Sequence, residues 1–423
     1  MSFQQGLSGL NSTSKNLDVI GNNIANASTY GAKSARAEFA SLYAASLNGA
    51  GGGNENGIGV TVATVATQFT QGNITGTGNP LDLAINGSGF FQTQNSVNQT
   101  LYTRNGQFKL DKNGFIVNNQ GNKLMGYAAD TSGVPVQGKM VPLQLPTGGI
   151  APVATSKNTI QFNLDAREAI TKPVAGSATN IDFTDQKTFN KATSVTMFDA
   201  KGQDVPVTYY FQKTAADTWD VYATANGVTV GGTAAAPAPI TTLQFSADGA
   251  TLVSPSPMPT FDIPAGTSSA GASTLPITGI TLDMGGSTQF GSTYGVTNMV
   301  QDGYTAGELT GVTVDETGHL VARYSNGQTK TAGLLQVANF RNPQGLQALG
   351  GNAWSETFAS GQPLSGTPGQ GNLGVLQSGA LEDSNVDLTA ELVAMITAQR
   401  DYQANAQTIK TMDQSMQTLV NLR

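Results

Sequence analysis

Apolar positions near the C-terminal end recur at alternating spacings of four and three. Of the ten positions from 388 to 420 on this pattern, eight are apolar: Leu388, Leu392, Met395, Tyr402, Ala406, Ile409, Met416 and Val420. Gln399 and Asp413 fill the other two. That pattern predicts one long amphipathic helix with a seam suited to another helix. Asp387 stands where a helix cap belongs, and Glu391 suits the first turn. The opening of the chain repeats the pattern more sparsely with Phe3, Leu7, Leu10, Leu17 and Ile24, interrupted by Ser14 and Gly21. Asn22, Asn23 and Asn26 then lower helix propensity and should end it. The first proline is Pro80 and the last Pro368, so both ends lack the strongest helix breaker. Each helix could pack on its own domain, or the two ends could form a coiled coil. A long helix with one apolar seam repays little of its ordering cost alone, so partners on more than one side are expected.

Between these ends the period changes to two. Leu81, Leu83 and Ile85 alternate with Asp82, Ala84 and Asn86, the pattern of a half-buried strand. Val205, Val207, Tyr209 and Phe211 alternate in the same way, and Trp219, Val221 and Ala223 follow beyond a turn. Asn105-Gly106, between Leu101-Tyr102-Thr103 and Phe108-Lys109-Leu110, predicts a hairpin turn. A turn unit recurs at Asp111–Gly114 and Asp315–Gly318, more loosely at Asp199–Gly202, with a further turn at Asp248-Gly249. Seven of the 17 prolines lie between Pro237 and Pro276, a stretch of loops and short edge strands. Gly49–Gly59 and Gly361–Gly374 read as joints. The expected fold is α+β: N- and C-terminal helices forming an inner coiled-coil domain, plus two mainly antiparallel β barrel or sandwich domains.

Composition removes most chemistry. The 423 residues contain no Cys and one His, His319, which excludes disulfides, thiolate metal sites, Cys nucleophiles and multi-His metal centres. Charged residues are 12%, and the net charge of −7 is a poor match to nucleic acid. The opening residues lack the basic and apolar regions of a cleavable signal peptide, and no apolar run is long enough to span a bilayer. The Asp-x-x-Gly turns lack the acidic spacing of a calcium loop, so they read as hairpin turns. Gly369-Gln370-Gly371-Asn372-Leu373-Gly374 matches a dinucleotide fingerprint in form only, because Pro363 and Pro368 precede it. His319 reads as a solvated strand residue. Asp315-Glu316 and Glu382-Asp383 are sequence neighbours, and in a strand such neighbours face opposite ways. Trp219 and Trp354 read as core or interface anchors. No catalytic, metal or cofactor site is expected.

Several ordered blocks resemble the bacterial flagellar rod and hook axial protein family. They run from Asn16 to Gly31, including Asn22, Asn23, Asn26, Thr29 and Gly31; from Gly78 to Phe91; from Thr103 to Phe108; from Asp111 to Gly114; from Ser384 to Thr389; and from Ala398 to Lys410. Ala32 stands where relatives often carry an aromatic. The length and a β-rich insertion of some 150 residues are similar to the hook-forming members. The resemblance implies an inner domain of residues 1–30 with 385–423, connecting segments at 31–75 and 365–384, a β-rich middle domain of 76–145 with 291–364, and a β-rich outer domain of 146–290. It implies a non-enzymatic subunit of a helical homopolymer, the curved tube that passes torque from rod to filament as a universal joint in motility. Polymer contacts are expected along the seams named above. The implied location is extracellular, in the flagellum, reached through the type III export apparatus without a cleavable signal. Implied partners are other copies, a distal rod protein, a hook–filament junction protein, the hook cap and the export apparatus, with no nucleic acid, membrane insertion or cofactor. A distal-rod or hook-associated axial protein is an alternative, and an exported β-rich enzyme acting on glycans is one from another class.

Overall fold

The computed structural model describes residues 3–43, 57–130, 132–146, 148–171, 181–268 and 271–421, so most of the Gly49–Gly59 run lies outside it. The chain forms two compact units. One comprises residues 1–147, 310–323 and 329–423, and the other 148–309 with 324–328.

The first unit carries both helices, α1 (Phe3–Ala25) and α2 (Leu388–Asn421). At 1.5 Å per residue α2 is about 50 Å long. Asp387 caps it, its carboxylate accepting from Thr389 N and Ala390 N at 2.9 and 3.1 Å. Strands β1 (Ala35–Tyr43) and β2 (Gly57–Thr67) form an antiparallel pair beside α1. The remaining strands are mostly antiparallel. A path runs from Leu309–Val314 through His319–Tyr324, Thr329–Leu335, Lys123–Ala128, Phe90–Gln94, Thr100–Thr103 and Ala353–Ser355 to Gln347–Gly350.

That path is open. Its last strand, Gln347–Gly350, is exposed throughout and does not pair with the first, so the barrel allowed by the sequence does not close. The core holds Phe90, Tyr102, Phe340 and Trp354, with Phe69 edge-on to both Phe90 and Trp354. Leu83, Ala84 and Ile85 are all buried, so their strand is covered on both faces rather than half-buried. Residues 365–384, expected as a connection, include strands built into this unit: Val375–Ser378 pairs with Leu83–Asn86, and Ala380–Glu382 with Ile74–Gly76. The Gly361–Gly374 run is likewise tied down, with Leu364–Gly366 paired to Val337–Asn339 and Gly374 N donating to Ser88 O. A strand, not a helix, follows the glycines.

The recurring turn has one geometry. Asp111 Oδ1 accepts from the backbone N–H groups two and four residues on, at 2.9 and 2.8 Å, and Asp199 and Asp315 repeat this. Gly114, Gly202 and Gly318 supply the positive φ the turn needs. Asn118 and Asp130 build the same turn without having been singled out by the sequence. Asn105-Gly106 is different. Thr100–Thr103 pairs with Phe90–Gln94, and Phe108–Leu110 pairs with Ile116–Asn118, so no hairpin forms there. Gly106 instead lets the Leu83 carbonyl approach: a Cβ on Gly106 would overlap that oxygen.

In the second unit two sheets share one core. Lys191–Phe198, Asp204–Ala215, Thr218–Ala225, Thr241–Phe245 and Leu252–Ser254 form one, and Thr260–Ile263, Ile277–Asp283, Lys157–Asn163 and Gly295–Gln301 the other. Because Gly295–Gln301 pairs with Lys157–Asn163, this unit continues past residue 290. Val205, Val207, Tyr209, Phe211, Trp219, Val221 and Ala223 point into the shared core as their alternation predicts. Trp219 Nε1 donates to Gln289 Oε1 at 3.2 Å.

Candidate assembly site

The helices run antiparallel, and small or polar residues join them. A Cβ on Gly6 would stand 3.1 Å from Ile409 Cγ1, and one on Gly9 would stand 3.0 Å from the Asn405 amide oxygen. Asn405 Nδ2 lies 3.5 Å from Thr13 Oγ1, and Asn23 Nδ2 donates to Glu391 Oε1 at 2.9 Å. On α1 these contacts fall at 6, 9, 13 and 23, each one residue before a heptad position (7, 10, 14 and 24). Glycine allows the backbones to approach closely, which the leucines would prevent. Ser8 faces the other way, its Oγ accepting from Val60 N of β2.

Apart from Ile409, which lies on Gly6, and the buried Ile20 and Ala398, the apolar residues are left outside or at the margins. Leu388, Leu392 and Met416 are 47%, 41% and 63% exposed, joined by Val393 and Ile396. Tyr402 and Leu7 are also exposed. Leu10, Leu17, Ile24, Met395 and Ile409 are half-buried. Phe3 and Val420 fall within the helices, but their side chains lie outside the described ones.

The motif residues gather at the base of the helix pair. Asn23 is buried and clamps Ala35 from both sides, donating to its carbonyl and accepting from its N–H. Asn26 donates to Asn22 O, Asn22 is exposed, and Thr29 N donates to Asn26 O. Gly31, at φ +67, lies so close to Arg104 and Asn105 that a Cβ would stand 2.4 Å from Asn105 N. Asn385 Oδ1 accepts from Ser34 N, while its amide nitrogen reaches Gln68 O and Thr70 O.

Below them lies a charged cluster that sequence reasoning missed. Glu382 is fully buried. Its Oε1 accepts from Lys33 Nζ and from Gly72 N, and its Oε2 from Arg104 at 3.1 Å. Lys33 also donates to Thr70 O, and Arg104 to the carbonyls of Ile85 and Gly87. Burial pulls the Lys33 ammonium below its ordinary pKa against the upward pull of Glu382, and burial likewise lowers Arg104. Each charge sits in or next to a block that carried the family resemblance, a signal that could have pointed to them.

The surroundings offer little for chemistry. His319 Nδ1 lies beside Asp315 and Thr317 at the surface, completing the turn. Among the described residues no group of three or more His, Asp or Glu side chains is placed to hold a metal ion. No helix among them is long and apolar enough to cross a membrane.

Four family models match along the chain. They are the flagella basal body rod protein over 3–33, the flagellar hook protein FlgE/F/G D1 domain over 84–171, the flagellar basal body protein FlaE D2 domain over 163–304, and the flagellar basal body rod FlgEFG protein C-terminal region over 377–422. The flagellar hook protein FlgE of Escherichia coli strain K12 is 41% identical over 100% of both chains. The chain belongs to the flagellar hook protein family. FlgE of Salmonella typhimurium is 42% identical over 100% of both chains, and FlgE of Borreliella burgdorferi 32% over 100% of this chain and 99% of its own. The crystal structure of Helicobacter pylori flagellar hook protein FlgE2 superposes with a TM-score of 0.52 at 14% identity, covering 73% of this chain and all of that one, a likeness of fold. As a hook protein the chain is a structural component of the flagellum outside the cell, not an enzyme.

Proposed function

We propose that this hook subunit polymerises through the outward apolar stripe of α2, and that α1 and α2 together line the inner wall of the hook tube as a coiled-coil domain. The supporting observation is the division of labour on the helices. Gly6, Gly9, Thr13, Asn23 and Asn405 line the α1–α2 contact, which leaves Leu388, Leu392, Val393 and Ile396 between 41% and 60% exposed in the single chain. Covering the exposed parts of these four would contribute roughly 1 kcal/mol each, repeated at every subunit. Phe3, Leu7, Leu10, Leu17, Ile24, Met395, Tyr402, Met416 and Val420 complete the proposed contact set, with Ile409 holding α1 against α2 within each subunit.

In this reading the second unit, residues 148–309 with 324–328, forms the outer part of the tube. Its contacts with other copies would use Thr, Asn, Gln and Ser side chains, which exchange with water at low cost and let the tube bend as a universal joint. Other copies are the main partner. A distal rod protein below, a hook–filament junction protein above, the hook cap and the type III export apparatus are the further partners we infer.

Electron microscopy of concentrated protein tests this. The wild-type chain should form curved tubes, and Leu392→Asp should abolish them while both units stay folded. Tubes formed normally by Leu392→Asp would remove the stripe from the account, and straight tubes from the wild type would favour a rod protein.

A further inference from the structure

Glu382 lies six residues before α2, and its partner Lys33 lies eight residues after α1. Both helices thus leave the β-rich part of the first unit within a few residues of one buried carboxylate. The backbone reinforces this, since Gly31 N donates to Glu382 O. The carboxylate has two sides. Oε1 takes Lys33 and Gly72 N, while Oε2 takes Arg104, which is anchored on the strand carbonyls of Ile85 and on Gly87 and lies 5.5 Å from the centre of the Phe90 ring. We propose that Glu382 is a positioning residue for assembly: it fixes the direction in which α1 and α2 leave the β-rich part of the subunit, and so sets the curvature of the tube. The inference rests on the helix-based assembly proposed above.

The charge balance makes the idea specific. Two cations share one anion in a buried site, with side chains 0% exposed for Lys33 and Glu382 and 5% for Arg104. Removing Lys33 leaves a balanced Arg104–Glu382 pair, still anchored on the β side, with only the backbone bond from Gly31 N to Glu382 O left on the helix side. Removing the Glu382 charge leaves two buried cations facing each other, which is far more disruptive. Lys33→Met should therefore keep the fold of the first unit while freeing the helices to change angle, whereas Glu382→Gln should loosen both.

The test compares full-length wild type, Lys33→Met, Lys33→Arg and Glu382→Gln by amide hydrogen exchange and by image reconstruction of the tubes. Lys33→Met should speed exchange at residues 23–35 and 383–391 about tenfold or more, leaving the strands around Arg104 protected. Its tubes should differ from wild type in curvature or helical twist, and Lys33→Arg should restore both. Glu382→Gln should give few tubes or none. If Lys33→Met melts at a lower temperature but builds tubes of wild-type curvature and twist, the cluster is only structural and the inference is overturned. Failure of the wild type to form tubes would overturn the assembly reading instead.

Discussion

Asn405 of α2 lies against Gly9 of α1, with its amide oxygen 3.0 Å from where a Cβ on residue 9 would be. That approach permits a narrow, polar helix pair. Gly9→Val should overpack it, costing about 1–3 kcal/mol of helix-pair stability. Hydrogen exchange should register this in both helices, with the second unit unchanged. Gly21 provides the control. It is exposed, a Cβ there would meet nothing within 4 Å, and Gly21→Ala should stabilise α1 by about 0.5–1 kcal/mol.

Ile409 and Leu392 belong to the same heptad series but should fail differently when changed to Asp. Ile409 packs against Gly6 inside the subunit, so Ile409→Asp should detach α1 from α2 in the monomer as well as block tubes. Leu392 is exposed, so Leu392→Asp should change monomer stability by no more than about 0.5 kcal/mol. Circular dichroism of dilute protein separates the two.

Ile150 N donates to Gly307 O at 2.8 Å, so the chain enters and leaves the second unit at adjacent points. Replacing residues 148–309 with a short Gly-Ser linker should leave the first unit folded and able to polymerise. We expect the resulting tubes to bend or supercoil differently. Complete loss of polymerisation would count against a peripheral role for this unit.

Acid should weaken the second unit. Bonds from the Arg167 side chain push Asp165 down to about 2. The Thr184 and Ser246 hydroxyls lower Asp182 and Asp248, and the Gly285 N–H together with Lys157 lowers Asp283. Asp199 and Asp302 are also lowered, their bonds from backbone N–H groups outweighing burial. Each folded value lies below the unfolded one near 4, so the unfolded chain binds more protons between the two. The stabilisation is present above about pH 4 and disappears as pH falls through the folded values. In a Trp354→Phe background, the melting temperature followed by Trp219 fluorescence should drop below pH 4 and be nearly flat between pH 5 and 7.

Local patterns in the sequence were good guides to local structure. The seam period located α2, Asp387 its cap, the alternation at 205–211 a core strand, and the Asp-x-x-Gly unit a turn. Where the outcome depended on distant chain, the sequence said less. Asn105-Gly106 has hairpin chemistry, but its flanking strands find other partners and Gly106 serves the Leu83 carbonyl. The heptad series identified apolar residues without showing that Gly6 and Gly9 would take the helix contact, keep Ile409 inside and leave Leu388, Leu392 and Met416 exposed. Lys33, Arg104 and Glu382 are separated by 71 and 278 residues, so their meeting is a property of topology.

Assembly depends on an apolar face of α2 whose exposed part only other subunits cover. Hydrogen exchange along α2, compared between dilute monomer and assembled tubes, tests this most directly. Residues 388–416 should be only partly protected in the monomer, through the contact with α1, and become strongly protected in the tube. Equal protection in the two states would contradict the account.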